Sequence, residues 1–246
     1  MKISVLLPTY NEYGNLTNLV EAIRNSLSDF NHEIIIIDDM SPDKTWELAK
    51  VLEKKYKNVK AIIRENERGL ATALMRGIKE STGTHVVFMD TDFNHPPELL
   101  KQMAHELNYY DLVIGSRFVK GGGGGEMSKT QHILSKILNY YIKIMLSLDS
   151  KESTSGYFII KKSILDKLPL EKVFTGYGDY FFRLLYLTKK LGVKTTEVPV
   201  KYGKRTYGES KTRTLKMGWN YGIGALKVKL FGINKTKNNL FNKNQD

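Results

Sequence analysis

The chain alternates short apolar runs with longer segments in which apolar residues recur every third or fourth position. The runs at 3–7, 33–38, 59–63, 85–89 and 111–115 are rich in β-branched residues and bounded by turn formers, which predicts strands. Helical spacing predicts helices over 15–29, 44–57, 69–81 and 96–107. Alternation of strand and helix is the pattern of βαβ units, so the expected class is α/β with a mostly parallel sheet flanked by helices. Pro96-Pro97-Glu98 suits the opening of the fourth helix. Proline is tolerated in a first turn, and an acid there meets the positive end of the helix dipole.

The second half departs from this rhythm. Gly121–Gly125 is a run of five glycines, which favours no regular element and predicts a mobile loop. Leu134, Ile137, Leu138, Tyr141, Ile144, Met145 and Leu148 follow helical spacing, while Lys129, Lys136 and Lys143 share a face. A membrane span needs about 20 largely uncharged residues, so the 131–148 segment predicts either an interfacial helix with its lysines at the headgroups or a helix packed on the sheet. A second segment of the same kind, 215–233, mixes Trp219, Tyr221, Leu226, Leu230 and Phe231 with Lys216, Lys227 and Lys229, and its four glycines weaken the helix it predicts.

At 246 residues the chain can bury a sizeable core as one large domain, or as one domain with an appendage. The expected division is 1–212 as the domain and 213–246 as a basic helix and tail. Net charge is +12, and from Lys201 onward eleven Lys or Arg face only Glu209 and Asp246, so nine of the excess charges lie there. Such a tail fits anionic lipid, a phosphorylated substrate or simple solvation. No nucleic-acid partner is expected, since RNP, KH and zinc-finger patterns are missing from the sequence. The absence of Cys excludes disulfides, thiolate nucleophiles and Cys-bound zinc, and suits a reducing compartment. Met1–Leu7 is too soon interrupted by Pro8 for a signal peptide and reads as the first core strand.

The candidate chemistry lies where apolar runs end: Pro8-Thr9-Tyr10-Asn11-Glu12, Asp38-Asp39 and Asp90-Thr91-Asp92. Parallel sheets bind ligands outside the carboxyl ends of their strands, so these carboxylates should converge on one crevice. Asp-x-Asp on a tight turn suits Mg²⁺ or Mn²⁺ holding a diphosphate with water. An EF-hand starting at Asp90 would need Gly and Glu where His95 and Lys101 stand. An aspartyl phosphatase places its acids after the first strand rather than the fourth. A dinucleotide fold would need Gly-x-Gly-x-x-Gly after the first strand. His95 has no partner histidine and reads as a turn residue.

Those three blocks occur in order with Ser41-Pro42-Asp43-Lys44-Thr45, Arg68-Gly69-Leu70-Ala71-Thr72-Ala73, Phe93-Asn94-His95-Pro96-Pro97-Glu98 and Ile114-Gly115-Ser116-Arg117. Together they resemble the family 2 inverting glycosyltransferases with a GT-A fold, a Rossmann-like sheet. Thr154-Ser155-Gly156-Tyr157-Phe158 and Arg205-Thr206-Tyr207-Gly208-Glu209-Ser210-Lys211 narrow the likeness to dolichyl-phosphate mannose synthases and related polyprenyl-phosphate glycosyltransferases. The likeness runs from residue 3 to about 211.

The resemblance implies that Pro8, Tyr10 and Glu12 line a nucleoside pocket with Asp39 on the base or ribose. Asp90 and Asp92 would serve the metal and diphosphate, with Asn94 as a third metal contact. It also implies that Arg117, Arg205 and Lys211 join Asp92 in the chemistry, facing acceptor phosphate and donor diphosphate. The implied cofactor is Mg²⁺ or Mn²⁺. The implied partners are a nucleotide sugar, with GDP-mannose the first expectation, a polyprenyl or dolichyl phosphate, a membrane surface and, as in some relatives, a small membrane subunit. The location would be peripheral, on the cytoplasmic membrane face, through amphipathic interfacial helices near the C-terminus.

Some positions depart from the family. Met40 replaces a small residue, Lys44 a glycine, Glu152 an Asp and Arg183 an acid, and relatives often carry Gln where Asn94 stands. Sugar and base therefore stay open. Strand-end capping is the plain alternative for Asp38 and Asp39, as core packing is for Tyr10 and a solvated surface for Arg205 and Lys211. UDP-glucose or a similar donor, or a sugar-hydroxyl acceptor with Asp179 as base, is the rival within transferases; a nucleotide-binding membrane adaptor is the rival outside them.

Overall fold

A computed structural model of the chain describes residues 1–125, 127–176, 178–203 and 214–233. The expected alternation holds. β1 (Lys2–Thr9), α1 (Tyr13–Ser26), β2 (Asn31–Asp38), α2 (Thr45–Lys55), β3 (Val59–Ile63), α3 (Leu70–Glu80), β4 (His85–Phe88), α4 (Leu99–Glu106) and β5 (Leu112–Ser116) follow in order. Pro96–Glu98 stand just before α4 rather than in it, as a turn in which the Leu99 N–H donates to the Pro96 carbonyl at 3.2 Å. After α5 (Lys129–Leu146) come β6 (Phe158–Lys161), the short α6 (Lys162–Leu165) and α7 (Leu170–Val173), α8 (Tyr180–Lys190), β7 (Thr195–Pro199) and α9 (Thr214–Phe231).

The seven strands form one sheet in the order β3-β2-β1-β4-β6-β5-β7. All pairings are parallel except those of β6, which runs antiparallel to both β4 and β5. Helices cover both faces, which is why Ile34–Ile37 can be apolar at every position: all four are fully buried. Leu6, Ile35, Ile37, Phe88, Ile114 and Phe158 face a core shared with α3, α5, α8 and α9. Their sequence neighbours Val5, Ile34, Ile36, Val87, Val113 and Ile159 face the opposite core with α1, α2 and α4. Pro8 is tolerated within central β1 because β4 pairs only as far as Leu6.

One expectation needs correction. The glycine run is tied down: the Gly123 N–H donates to the Val200 carbonyl at 2.9 Å and its own carbonyl accepts from the Tyr202 N–H at 3.1 Å. A Cβ on Gly122 would lie 2.5 Å from the Ser116 carbonyl oxygen, and one on Gly125 2.3 Å from that of Tyr202. These glycines serve close approach. The 215–233 segment is helical as expected, and its glycines serve packing: Gly218 and Gly222 lie against Leu138 and Tyr141 of α5 and Gly224 against Phe182 of α8. The 131–148 segment packs on the sheet along one face and leaves apolar side chains exposed on another. α5 buries Asn139, Ile142 and Leu146, yet Ile133, Ile137, Tyr140 and Ile144 remain exposed. Of its three lysines, Lys143 turns to the Asp149 carbonyl at 2.6 Å.

Glu33, opposite Ser4 across β1 and β2, ties the sheet's amino-terminal end. Burial would push its carboxyl up, but hydrogen bonds from the Ser4 hydroxyl, the Thr82 N–H and hydroxyl, and Lys2 outweigh that and bring its pKa down to about 2. A depressed carboxylate stabilises the fold above its unfolded-state pKa, and the contribution fades as pH falls towards the folded value. Urea midpoints of wild type and Glu33→Gln should therefore differ at pH 7, and the gap should narrow steadily between about pH 4.5 and pH 2. A gap independent of pH would contradict this account.

Candidate active site

Register places the candidate residues. Thr9 pairs with Asp38, and Leu6 with Phe88, so the turns after β1, β2 and β4 open at one edge of the sheet. The first two turns are stitched together. Asp38, fully buried, accepts from the Thr9 hydroxyl at 3.0 Å, the Ser41 hydroxyl at 2.7 Å and the Ser41 N–H at 2.8 Å. Burial raises its pKa above the ordinary carboxylate value in spite of these bonds. The Asn11 N–H donates to the Ser41 hydroxyl, the Glu12 N–H to that of Thr45, and the Tyr13 N–H to the Asp43 carboxylate. Asp38 is thus the strand-end cap that the plain reading held out.

Asp39 is held as well, by the Arg64 Nε at 2.7 Å and the Gly69 N–H at 2.7 Å. Arg64, at the end of β3, also reaches Glu67, the Thr72 hydroxyl and the Gly69 carbonyl. Glu12 turns towards α1, accepting from the Asn15 amide at 2.7 Å. Tyr10 is half-buried, with the Arg68 guanidinium 4.1 Å above its ring. Pro8, Tyr10, Glu12 and Asp39 therefore share one end of the β1–β2 cleft, and Glu12 and Asp39 already carry protein partners there.

The turn after β4 holds the acid pair. Asp90 is half exposed, while Asp92 is nearly buried. Asp92 accepts from the Asn94 N–H at 3.0 Å and from the Asn94 amide nitrogen at 2.8 Å, which leaves Asn94 Oδ1, the atom a cation would use, outside that pair. Phe93 carries φ 64°; Asn11 (59°), Met40 (50°) and Lys44 (67°) are likewise left-handed, so each of the three turns contains at least one such residue. Among the described residues no group of three or more His, Asp or Glu gathers around one point. A cation here would draw part of its shell from phosphate and water. Two carboxylates and an amide oxygen in a shallow site fit a hard, octahedral ion of the Mg²⁺ or Mn²⁺ kind.

Arg117 does not stand open to solvent. It is forked onto the fully buried Glu152, Nε and Nη2 each at 2.8 Å, and its Nη2 also donates to the Thr154 hydroxyl. Burial would pull its pKa down, but Tyr202 and Glu152 hold it above its usual value. Only Nη1 is directed elsewhere, towards the Met127 sulfur at 3.6 Å. Met127 in turn lines a recess of about 300 Å³ together with Gly124, Gly125, Lys129, His132 and Ile133. Any phosphate contact by Arg117 would come from this side. Asp179, the alternative base, is buried against Arg183 at 2.6 Å, and Arg183 also donates to the Val173 and Thr175 carbonyls. Arg205 and Lys211 lie outside the described residues.

Reasoning from sequence missed Arg64, Tyr202 and the role of Glu152. Arg64 follows the strand-end rule at β3 and could have been found by it, whereas nothing in the local pattern marks Tyr202. His95 proves a core residue rather than only a turn residue: it is fully buried and stacked on Tyr157 with 4.7 Å between ring centroids. Burial, and then the nearby Arg117 charge, lower its pKa to about 3.

Fold and site define an α/β protein of the GT-A type, with acidic turns gathered at the carboxyl ends of its central strands. Residues 4–169 match the family described as Glycosyl transferase family 2, and the chain belongs to that family. It is 39% identical over 216 residues to a dolichol-phosphate mannosyltransferase of Pyrococcus furiosus, covering 87% of this chain and 60% of that protein's length. It is 30% identical to an undecaprenyl-phosphate mannosyltransferase of Micrococcus luteus, covering 86% of this chain and 87% of the relative. With a dolichol-phosphate mannosyltransferase of Mycosarcoma maydis it shares 32% identity, over 85% and 72% of the two chains. Among solved structures, glucosyl-3-phosphoglycerate synthase from Mycobacterium tuberculosis, in complex with Mn²⁺, UDP and phosphoglyceric acid, superposes with a TM-score of 0.69. That match has 21% identity over 93% of this chain and 78% of that one, a likeness of fold.

The Arg117–Glu152 pair should govern stability here. Removing one partner of a buried pair strands the other charge, which costs about 3–5 kcal/mol. Glu152→Ala should lose about that much in urea unfolding, and Glu152→Asp much less. Equal losses from the two substitutions would show that the fork is not what matters.

Proposed function

We propose that this chain transfers a hexose from a nucleoside diphosphate sugar to a polyprenyl or dolichyl phosphate, with inversion at the anomeric carbon. Mannose from GDP-mannose is the expected donor. The observation that carries the reading is the agreement of the three relatives, whose names each join mannose to a polyprenyl phosphate, with a crevice built on paired acids at the strand ends. The 60% span of the Pyrococcus furiosus relative keeps its activity a proposal for this chain.

The nucleoside would lie over the β1–β2 turns, between Tyr10 and the Asp39–Arg64 pair, and the diphosphate would reach the Asp90–Asn94 turn. A divalent cation held by Asp92 and Asn94, with Asp90 beside them, would neutralise charge on the departing nucleoside diphosphate. The acceptor phosphate is already anionic and needs no proton removed, so its requirements are orientation and screening of charge. Arg117 Nη1, Lys129 and the recess at the start of α5 would meet it, with Arg205 and Lys211 as further cations. The state of Asp179 favours this over a hydroxyl acceptor. A carboxylate gripped by a buried arginine at 2.6 Å is a poor general base.

The lipid would be reached from the α5–α9 face. Ile133, Ile137, Tyr140 and Ile144 form one exposed stripe on α5, and Trp219, Leu226 and Leu230 another on α9. No described helix is long and apolar enough to cross a membrane, and these stripes are suited to lying in the headgroup layer. A small membrane subunit would also find its place here.

Two measurements test this reading. Purified protein with Mn²⁺, a short polyprenyl phosphate and a panel of labelled nucleotide sugars should move label from one sugar into the organic phase. Asp92→Ala should reduce that transfer at least 100-fold with its thermal midpoint kept, and Asp179→Asn, if it folds, should retain transfer. Loss of turnover in a folded Asp179→Asn would favour the hydroxyl acceptor. Separately, the chain should sediment with anionic vesicles, and Ile137→Asp with Leu230→Asp should cut the bound fraction several-fold; wild type left in the supernatant at physiological salt would remove the membrane from the account.

A further inference from the structure

His95 has no role in the chemistry above, yet it is among the most fully enclosed polar groups of the molecule. The Asp90 N–H donates to its Nδ1 at 2.9 Å. Nδ1 is therefore an acceptor, and the ring hydrogen of the neutral imidazole sits on Nε2. That nitrogen faces the Tyr202 hydroxyl at 3.2 Å and stands 3.8 Å from Asp90 Oδ2. The ring cannot turn away. Tyr157 lies parallel to one face at 4.7 Å, itself anchored by its hydroxyl to the Pro96 carbonyl at 2.8 Å, and Tyr202 meets the ring edge-on at 5.3 Å.

Tyr202 is held from the other side. Its ring carries the Arg117 guanidinium at 4.7 Å, and its N–H bonds the Gly123 carbonyl. The next residue, Gly203, donates its N–H to the Asn94 carbonyl at 3.0 Å, and a Cβ there would come within 2.2 Å of the Phe93 carbonyl oxygen. Both ends of the acidic turn are thus gripped by residues 202–203: Asn94 through the backbone, and Asp90 through His95.

We propose that His95 is a positioning residue, locked by Tyr202, that fixes the backbone of Asp90 and thereby the direction of its carboxylate towards the bound cation. This rests on the reading of the Asp90–Asn94 turn as the cation site. The left-handed Phe93 gives the turn a strained conformation that needs such a clamp. Without the Nδ1 acceptor, the hydrogen bond that ties the Asp90 N–H to the core is lost.

The test compares His95→Leu, His95→Asn and Tyr202→Phe in the full chain. Asn places an amide oxygen near the position of Nδ1, so it can accept the Asp90 N–H; Leu cannot. Tyr202→Phe removes only the hydroxyl. Mn²⁺ affinity is read from the free-ion electron paramagnetic resonance signal with saturating GDP, and again with UDP. Nucleotide affinity in EDTA and the thermal midpoint are measured in parallel. His95→Leu should weaken Mn²⁺ binding at least tenfold, His95→Asn no more than about threefold, and Tyr202→Phe by an intermediate factor. Metal-free nucleotide affinity should stay within about twofold throughout. Equal Mn²⁺ loss in the Leu and Asn variants, or a loss that follows the thermal midpoint and metal-free binding alike, would overturn the positioning role. Wild type that fails to bind Mn²⁺ with either nucleotide would overturn the cation-site reading first, and this inference with it.

Discussion

The parallel pairing of β1 with β2 on one side and β4 on the other is the constraint on which the catalytic end depends. Three acidic turns meet only because three strands end at the same edge. Hydrophobic alternation alone does not set this register, since Ile34–Ile37 are buried on whichever face they meet. The polar pairs at the two ends of the ladder do. Ser4 meets Glu33 at 2.5 Å, and Thr9 meets Asp38 at 3.0 Å, each pair directly opposite across the strands. A slip by one residue would break both hydrogen bonds and bury unpartnered carboxylates.

Around that edge the protein spends arginines on carboxylates. Arg64–Asp39, Arg117–Glu152 and Arg183–Asp179 are all buried, and each includes a residue that chemistry alone would have nominated for the reaction. Buried pairs of this kind add little net stability, but their forked geometry fixes direction well. They are fixed dipoles rather than loose charges. That would suit the transfer proposed above, in which repulsion between two phosphate-bearing partners must be met by groups already in position.

The first half of the fold was legible because it is local: strand runs, helical periods and strand-end acids can each be read within a short window. The second half was less so. β6 is only Phe158–Lys161, antiparallel in a parallel context, and its place between β4 and β5 depends on partners far away in sequence. α9 was expected, but its signal was weakened by glycines whose purpose, close approach to α5 and α8, exists only once the helices meet. At the site, Asp90, Asp92 and Asn94 stand together in one turn as their spacing implied. Asp39 and Arg117 stand at strand ends as their sequence positions implied, but their partners Arg64 and Glu152 lie 25 and 35 residues away and could not be paired by pattern. His95 looked unremarkable because its value lies in Tyr202, 107 residues downstream.

Asn11, Met40 and Phe93 hold left-handed backbone in the turns that frame the crevice, at roughly 1–2 kcal/mol apiece for a non-glycine residue. An engineer seeking a more heat-resistant enzyme would find glycine attractive at all three sites. Relief of strain there would come together with new backbone freedom beside the acids, so robustness and turnover would be traded against each other at this edge. Improvement sought at the far end of the sheet, where β2 and the 82–84 turn meet, would carry no such conflict.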